Sequence, residues 1–111
     1  MTTMEKDQTY NGWTNYETWN VKLWIDNEEG DYRFWKERAE ETYATAKEDQ
    51  TFSQLERAAL TLADELKDQF EENTPTVTGC YADLLNAALS EVNWYEIAKS
   101  LLEDYQVDKE S

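Results

Sequence analysis

The chain has 111 residues, 40% of them hydrophobic and 14% aromatic, and its 25 Asp and Glu against 10 Lys and Arg give a formal net charge of -15. That length suits one hydrophobic core and is short for two, while five Trp and seven Tyr supply too much apolar surface for a disordered chain. Direct nucleic-acid binding needs cations at phosphates, so a surface this acidic repels nucleic acid and anionic membranes and attracts basic partners.

Residues 1–12 read as a polar, flexible arm that ends in the turn signal Asn11-Gly12, ahead of one ordered domain over 13–107 and a short flexible tail, 108–111. Thr14 and Glu17 have the spacing of a capping box, which predicts a first helix running to about Asn27. Tyr16, Trp19, Val21, Leu23, Trp24 and Ile25 spread around its circumference, the pattern of a central helix packed on several sides. Gly30 offers a left-handed C-cap and Asp31 an N-cap, so a second helix is expected from about Tyr32 to Lys47, with Tyr32, Trp35, Ala39, Tyr43 and Ala46 inward. Ser53 and Glu56 form a second capping box. The most regular amphipathic run follows it, through Leu55, Ala59, Leu62, Leu66 and Phe70.

Pro75 and Gly79 both interrupt helices and make 73–79 a linker. A fourth helix is expected from about Cys80 to Glu91, buried through Leu84, Leu85, Ala88 and Leu89. A fifth begins at a third capping box, Asn93 with Glu96, and buries Trp94, Ile97, Leu101 and Tyr105. The expected fold is therefore all-α, a compact single-domain bundle of about five helices.

With no His, the chain lacks Ser-His-Asp, Cys-His and His-ligated metal chemistry, and its one cysteine, Cys80, reads as a small buried or half-buried hydrophobe. Three scattered glycines make no phosphate loop, and carboxylate pairs are unavoidable in so acidic a chain, so no enzyme site, metal or cofactor is expected. Asp26 to Glu37 has the twelve-residue span of a calcium loop, but Asp31 stands where that loop needs glycine, and a turn between helices is the plainer reading. A lone Cys, polar first residues and no long apolar stretch fit a cytoplasmic protein.

The remaining candidates are binding surfaces. Glu37, Glu40 and Glu41 on the second helix and Glu56, Asp64, Glu65, Asp68, Glu71 and Glu72 on the third lie off the core stripes, as do Glu48 and Asp49. Adjacent turns hold such carboxylates roughly 5–6 Å apart at Cβ, comparable to phosphates along a strand, so the two faces are either solvated surface or a phosphate-like array for a nucleic-acid-binding protein. Trp13 and Trp24 are the alternative, an aromatic contact left over from a first helix with more tryptophan than one core face needs.

Residues 11–21 (NGWTNYETWNV), continuing through 23–30 (LWIDNEEG), together with 81–98 (YADLLNAALSEVNWYEIA), resemble a family of small uncharacterised acidic proteins of tailed bacteriophages and bacterial mobile elements. The resemblance carries no activity, ligand or catalytic residue. It implies a setting in the host cytoplasm, in which small acidic accessory proteins block host defences and in which known anti-restriction and anti-CRISPR inhibitors include DNA mimics. The expected partner is then a basic host protein, a nuclease or CRISPR effector, and not nucleic acid or membrane.

Overall fold

The computed structural model of the chain describes residues 9–110, and their side chains up to Val107. Residues 1–8 of the expected arm, and Ser111, lie outside the described residues. Among the described residues five helices make up the fold: α1 (Tyr16–Asn27), α2 (Glu29–Thr45), α3 (Gln54–Glu72), α4 (Gly79–Ser90) and α5 (Trp94–Glu110). The last of these carries helical backbone through 108–110, where a tail was expected.

Burial centres on α3 and α5, which pack most extensively on each other, with α2 lying against both. The α3 stripe Ala58, Ala59, Leu62, Ala63 and Leu66 is buried against Ile97, Ala98, Leu101 and Leu102 of α5, and Trp35 and Ala39 of α2 close the third side. Alanines at the contacts let the helix axes approach, and each fully buried Leu or Ile stabilises by about 1.5–3 kcal/mol. Phe70 stacks on Trp94 at 5.3 Å between ring centroids, and Tyr43 meets Tyr105 at 6.0 Å, extending the core towards both ends.

The expectation that α1 is central is overturned. It lies at the edge, packed on α2 and α5, and buries Thr18, Val21, Lys22 and Ile25 while Tyr16 and Trp24 face outwards. Its apolar residues encircle it because one side meets the core and another is left open. Gly30 neither caps nor has positive φ, and Asp31 is no N-cap. After the single extended residue Glu28, α2 begins at Glu29 and takes Gly30 and Asp31 into its first turn. No loop forms between the two helices that could wrap a cation, and no group of three or more possible ligands occurs among the described residues.

Two further expectations change. The backbone turns tightly at Asn11 (φ 49°) and Gly12 (φ 89°), pairing Tyr10 with Trp13 at 2.7 and 2.8 Å and placing Tyr10 on Tyr16 and Trp19. The chain thus joins the fold at Tyr10, before the expected start at Trp13. In α4 no residue is buried: Leu84 is 63% and Tyr81 73% exposed, and Cys80 is exposed as well. The linker after Asn73 swings α4 off the α3–α5 core, so its apolar stripe meets too little of the chain to be covered. No helix of the described residues is long and apolar enough to cross a membrane.

Candidate protein-binding surface

The acidic candidates fall on the outer faces of α2 and α3. On α2 the core side is Trp35, Ala39 and Thr42, and the helical period turns Glu37, Glu40, Glu41 and Ala44 to the opposite side, where they border an open hollow. On α3 the same period places Asp64, Asp68, Glu71 and Glu72 outside the Leu62–Leu66 stripe, all exposed.

Three of the nine acids are engaged within the fold. Arg38 crosses from α2 to α3 and donates from Nε to Glu65 Oε1 at 2.8 Å and from Nη2 to Glu65 Oε2 at 2.9 Å, while its Nη1 lies 3.4 Å from Glu41. This two-pronged geometry matches guanidinium to carboxylate. The hydrogen bonds to Glu65, reinforced by both negative charges against partial desolvation, raise the Arg38 pKa above its already high value. Glu56 accepts from the Ser53 N–H at 2.9 Å and Ser53 Oγ accepts from the Glu56 N–H at 3.1 Å, the expected capping box. Glu37, Glu40, Asp64, Asp68, Glu71 and Glu72 carry no ion pair among the described residues.

Asp49, grouped by sequence with the free acids, organises the α2–α3 loop instead. Its carboxylate accepts from the Thr51 and Phe52 N–H groups, both at 2.8 Å, and pairs with Arg57. The Phe52 N–H bond first, then Arg57 and the Thr51 N–H, hold its carboxyl below the usual carboxylate range. Asp followed two and three residues later by free backbone N–H groups is an Asx-turn pattern, which the sequence did contain.

The aromatic candidates separate. Trp13 is half-buried and lies against the core, with its ring 6.0 Å from the Lys22 ammonium, which pairs with Asp26 at 2.8 Å beneath it. It shields a buried cation. Trp24 is 61% exposed and is free for contact.

The two distinctive sequence strings meet in space, at the N-termini of α1 and α5. Neither first nor third capping box closes locally. Asn15, not Thr14, caps α1: its Oδ1 accepts from the Thr18 N–H at 2.9 Å and from the Thr18 hydroxyl at 2.6 Å, and its Nδ2 donates to the Glu91 carbonyl at 2.7 Å. Thr18 Oγ1 accepts from the Asn93 N–H at 2.9 Å, and Asn93 Oδ1 accepts from the Glu96 N–H at 3.0 Å. Glu96, free of its own cap, accepts from the Thr14 N–H at 3.1 Å. Each helix start is capped partly by residues of the other, so these strings build a structural clasp.

Fold and surface together define a small all-α protein whose outer helical faces are acidic. A family of unknown function, DUF7249, matches over residues 6–108, and the chain belongs to that family. No curated protein and no solved structure matches it.

Proposed function

We propose that this chain is a non-catalytic accessory protein of a phage or mobile element that binds a basic host defence protein, of anti-restriction or anti-CRISPR type, in the host cytoplasm. Its acids would occupy a channel built for nucleic acid. The setting rests on the resemblance of the 11–30 and 81–98 strings. The observation that carries the binding mode is the set of exposed, unpaired carboxylates, Glu37 and Glu40 on α2 with Asp64, Asp68, Glu71 and Glu72 on α3, on neighbouring helices of a chain with net charge -15. Helical spacing of roughly 5–6 Å between such groups approximates a phosphate ladder. Rigid helices present it without the ordering cost of a flexible acidic tail.

The test is binding to a panel of restriction nucleases and CRISPR effectors across salt concentrations. Binding should weaken steeply with salt. Replacing Asp64, Asp68, Glu71 and Glu72 by Asn and Gln should cost about 1–4 kcal/mol, at roughly 0.2–1 kcal/mol for each exposed charge. Affinity unchanged by those four substitutions would refute the reading.

Exposure of Trp24 favours a second reading, an adaptor that holds its partner through α1. In that case Trp24→Ala abolishes binding without unfolding the chain, and salt matters little.

A further inference from the structure

A hollow of about 420 Å³ opens between α2 and α3, bordered by Asp31, Phe34 and Trp35 on one helix and by Gln69, Phe70 and Asn73 on the other. Within each set, spacings of three and four residues put the side chains on one helix face. Trp35 is buried in the core, and Phe34, 43% exposed, meets it edge to face at 4.9 Å between ring centroids. Phe70 is half-buried, with its ring 5.3 Å from that of Trp94. The aromatic part of the lining is therefore fixed by the fold. The polar part is unengaged: the side chains of Asp31, Gln69 and Asn73 have no hydrogen-bond or ion-pair partner among the described residues. No Lys or Arg borders the hollow.

The same seam shows what such a lining accepts. One helical turn along, four residues from Phe34 and from Gln69, Arg38 reaches across to Glu65 with two hydrogen bonds. There the fold supplies both guanidinium and carboxylate; at the hollow it supplies a carboxylate and aromatic rings without a cation. An anion would meet Asp31 and the field of a chain with net charge -15. An uncharged apolar group would cover a carboxylate and two amides and leave them without partners. A guanidinium meets each part of the lining. Its flat face stacks on aromatic rings, its fork matches a carboxylate, and its remaining N–H groups suit amide oxygens, whereas an ammonium is compact, strongly hydrated and has no flat face. We propose that the hollow is a pocket for an arginine side chain of a basic protein partner. Asp31 pairs with the guanidinium, Phe34 and Phe70 flank it from the two helices, and Gln69 and Asn73 accept its outer N–H groups. Asp68 and Glu72, next in the chain to Gln69 and Asn73, add to the negative field that draws the cation in.

This deepens the reading of a basic partner and rests on it for the source of the arginine, but the pocket is tested without that partner. The experiment is an amide NMR titration of the full chain with N-acetyl-arginine amide at about 0.15 M salt. N-acetyl-citrulline amide, of the same shape without the charge, and N-acetyl-lysine amide are titrated beside it. Expected are saturable shifts confined to the residues lining the hollow, with a Kd of roughly 1–10 mM for the arginine compound, weaker binding of the lysine compound and none of the citrulline compound. Asp31→Asn and Phe34→Ala should each weaken arginine binding by about 2-fold or more, with helical circular dichroism unchanged because both positions are exposed. Asp83→Asn, which removes the same charge from α4, should leave it unchanged. Shifts scattered over all the acidic helices, an equal response to the citrulline or lysine compound, or an Asp31→Asn chain that binds as well as wild type would each overturn the proposal. Saturable arginine binding by a chain that holds no nuclease or CRISPR effector refutes the acidic-face reading alone. Salt-dependent protein binding by a chain that ignores the arginine compound refutes the pocket alone.

Discussion

Replacing Thr18 by Val removes one hydroxyl from the clasp and leaves the packing volume nearly unchanged. Thr18 is fully buried, and its Oγ1 both donates to Asn15 Oδ1 at 2.6 Å and accepts from the Asn93 N–H at 2.9 Å. Losing the first bond costs about 0.5–1.5 kcal/mol, because Asn15 Oδ1 keeps the Thr18 N–H as a donor. Losing the second strands a part-buried backbone N–H, at about 1–3 kcal/mol. The sum is about 1.5–4.5 kcal/mol, a large share of the roughly 5–15 kcal/mol by which a domain is stable. Urea denaturation followed by far-UV circular dichroism reads this directly: at a slope of about 1–3 kcal/mol per molar, the midpoint falls by at least about 0.5 M. Thr18→Ser keeps the hydroxyl and should retain most of the stability. Asn15→Ala should couple to Thr18→Val by about 1 kcal/mol in a double-mutant cycle, because the two share a bond. A Thr18→Val midpoint equal to wild type would refute the clasp as a source of stability.

Other substitutions check the remaining assignments. Leu66→Ala, at a fully buried α3 position, should cost about 2–5 kcal/mol, whereas Leu84→Ala on bare α4 should change stability by less than about 0.5 kcal/mol, both read by urea denaturation. Lys22→Met keeps the apolar stem under Trp13 and should stay within about 1 kcal/mol of wild type, while Lys22→Glu, facing Asp26, should cost about 3 kcal/mol or more. Asp49 has a carboxyl depressed in the folded chain, so its stabilisation is complete above the unfolded value near 3.9 and is lost as pH falls through the lower folded value. Hence the stability gap between wild type and Asp49→Asn should be full at neutral pH and close in acid; a gap independent of pH would contradict the assigned bonds.

Legibility follows the range of the interaction that decides each feature. The α3 stripe and the Ser53–Glu56 capping box are set by residues three and four apart, and both were readable from spacing alone. The α5 stripe is equally local, with Ile97 and Leu101 buried as its period requires. Where a distant partner competes, spacing misleads. Glu96 has the right offset to cap its own helix but finds the Thr14 N–H, 82 residues away. Gly30 has the composition of a helix end but sits inside α2, since Glu28 alone supplies the break. In the candidate surface the outward phase of the acids was legible. That Arg38 would hold Glu65 and Glu41, and that Trp13 would cover Lys22 while Trp24 stayed outside, depends on which helices meet, which periodicity does not specify.

The clasp also explains why the most recognisable strings say nothing about a ligand. Asn15, Thr18, Asn93 and Glu96 each bond to one another or to the backbone near the two helix starts. Their chemistry is spent on joining the two ends of the chain. The unpaired carboxylates of α2 and α3 on which the proposed binding mode rests lie in the segment between those strings, where the sequence reads as ordinary acidic helix. On the proposed binding mode, a chain could keep both strings and change its partner by redistributing charge on α2 and α3. The converse should hold in the laboratory: replacing Glu37, Glu40, Asp64 and Asp68 by Gln and Asn should leave the urea midpoint equal to wild type or higher, because it relieves repulsion without touching the clasp, while weakening the proposed salt-dependent binding to a basic partner by about 1–4 kcal/mol. A fall in the midpoint comparable to that of Thr18→Val would mean that these acids stabilise the fold.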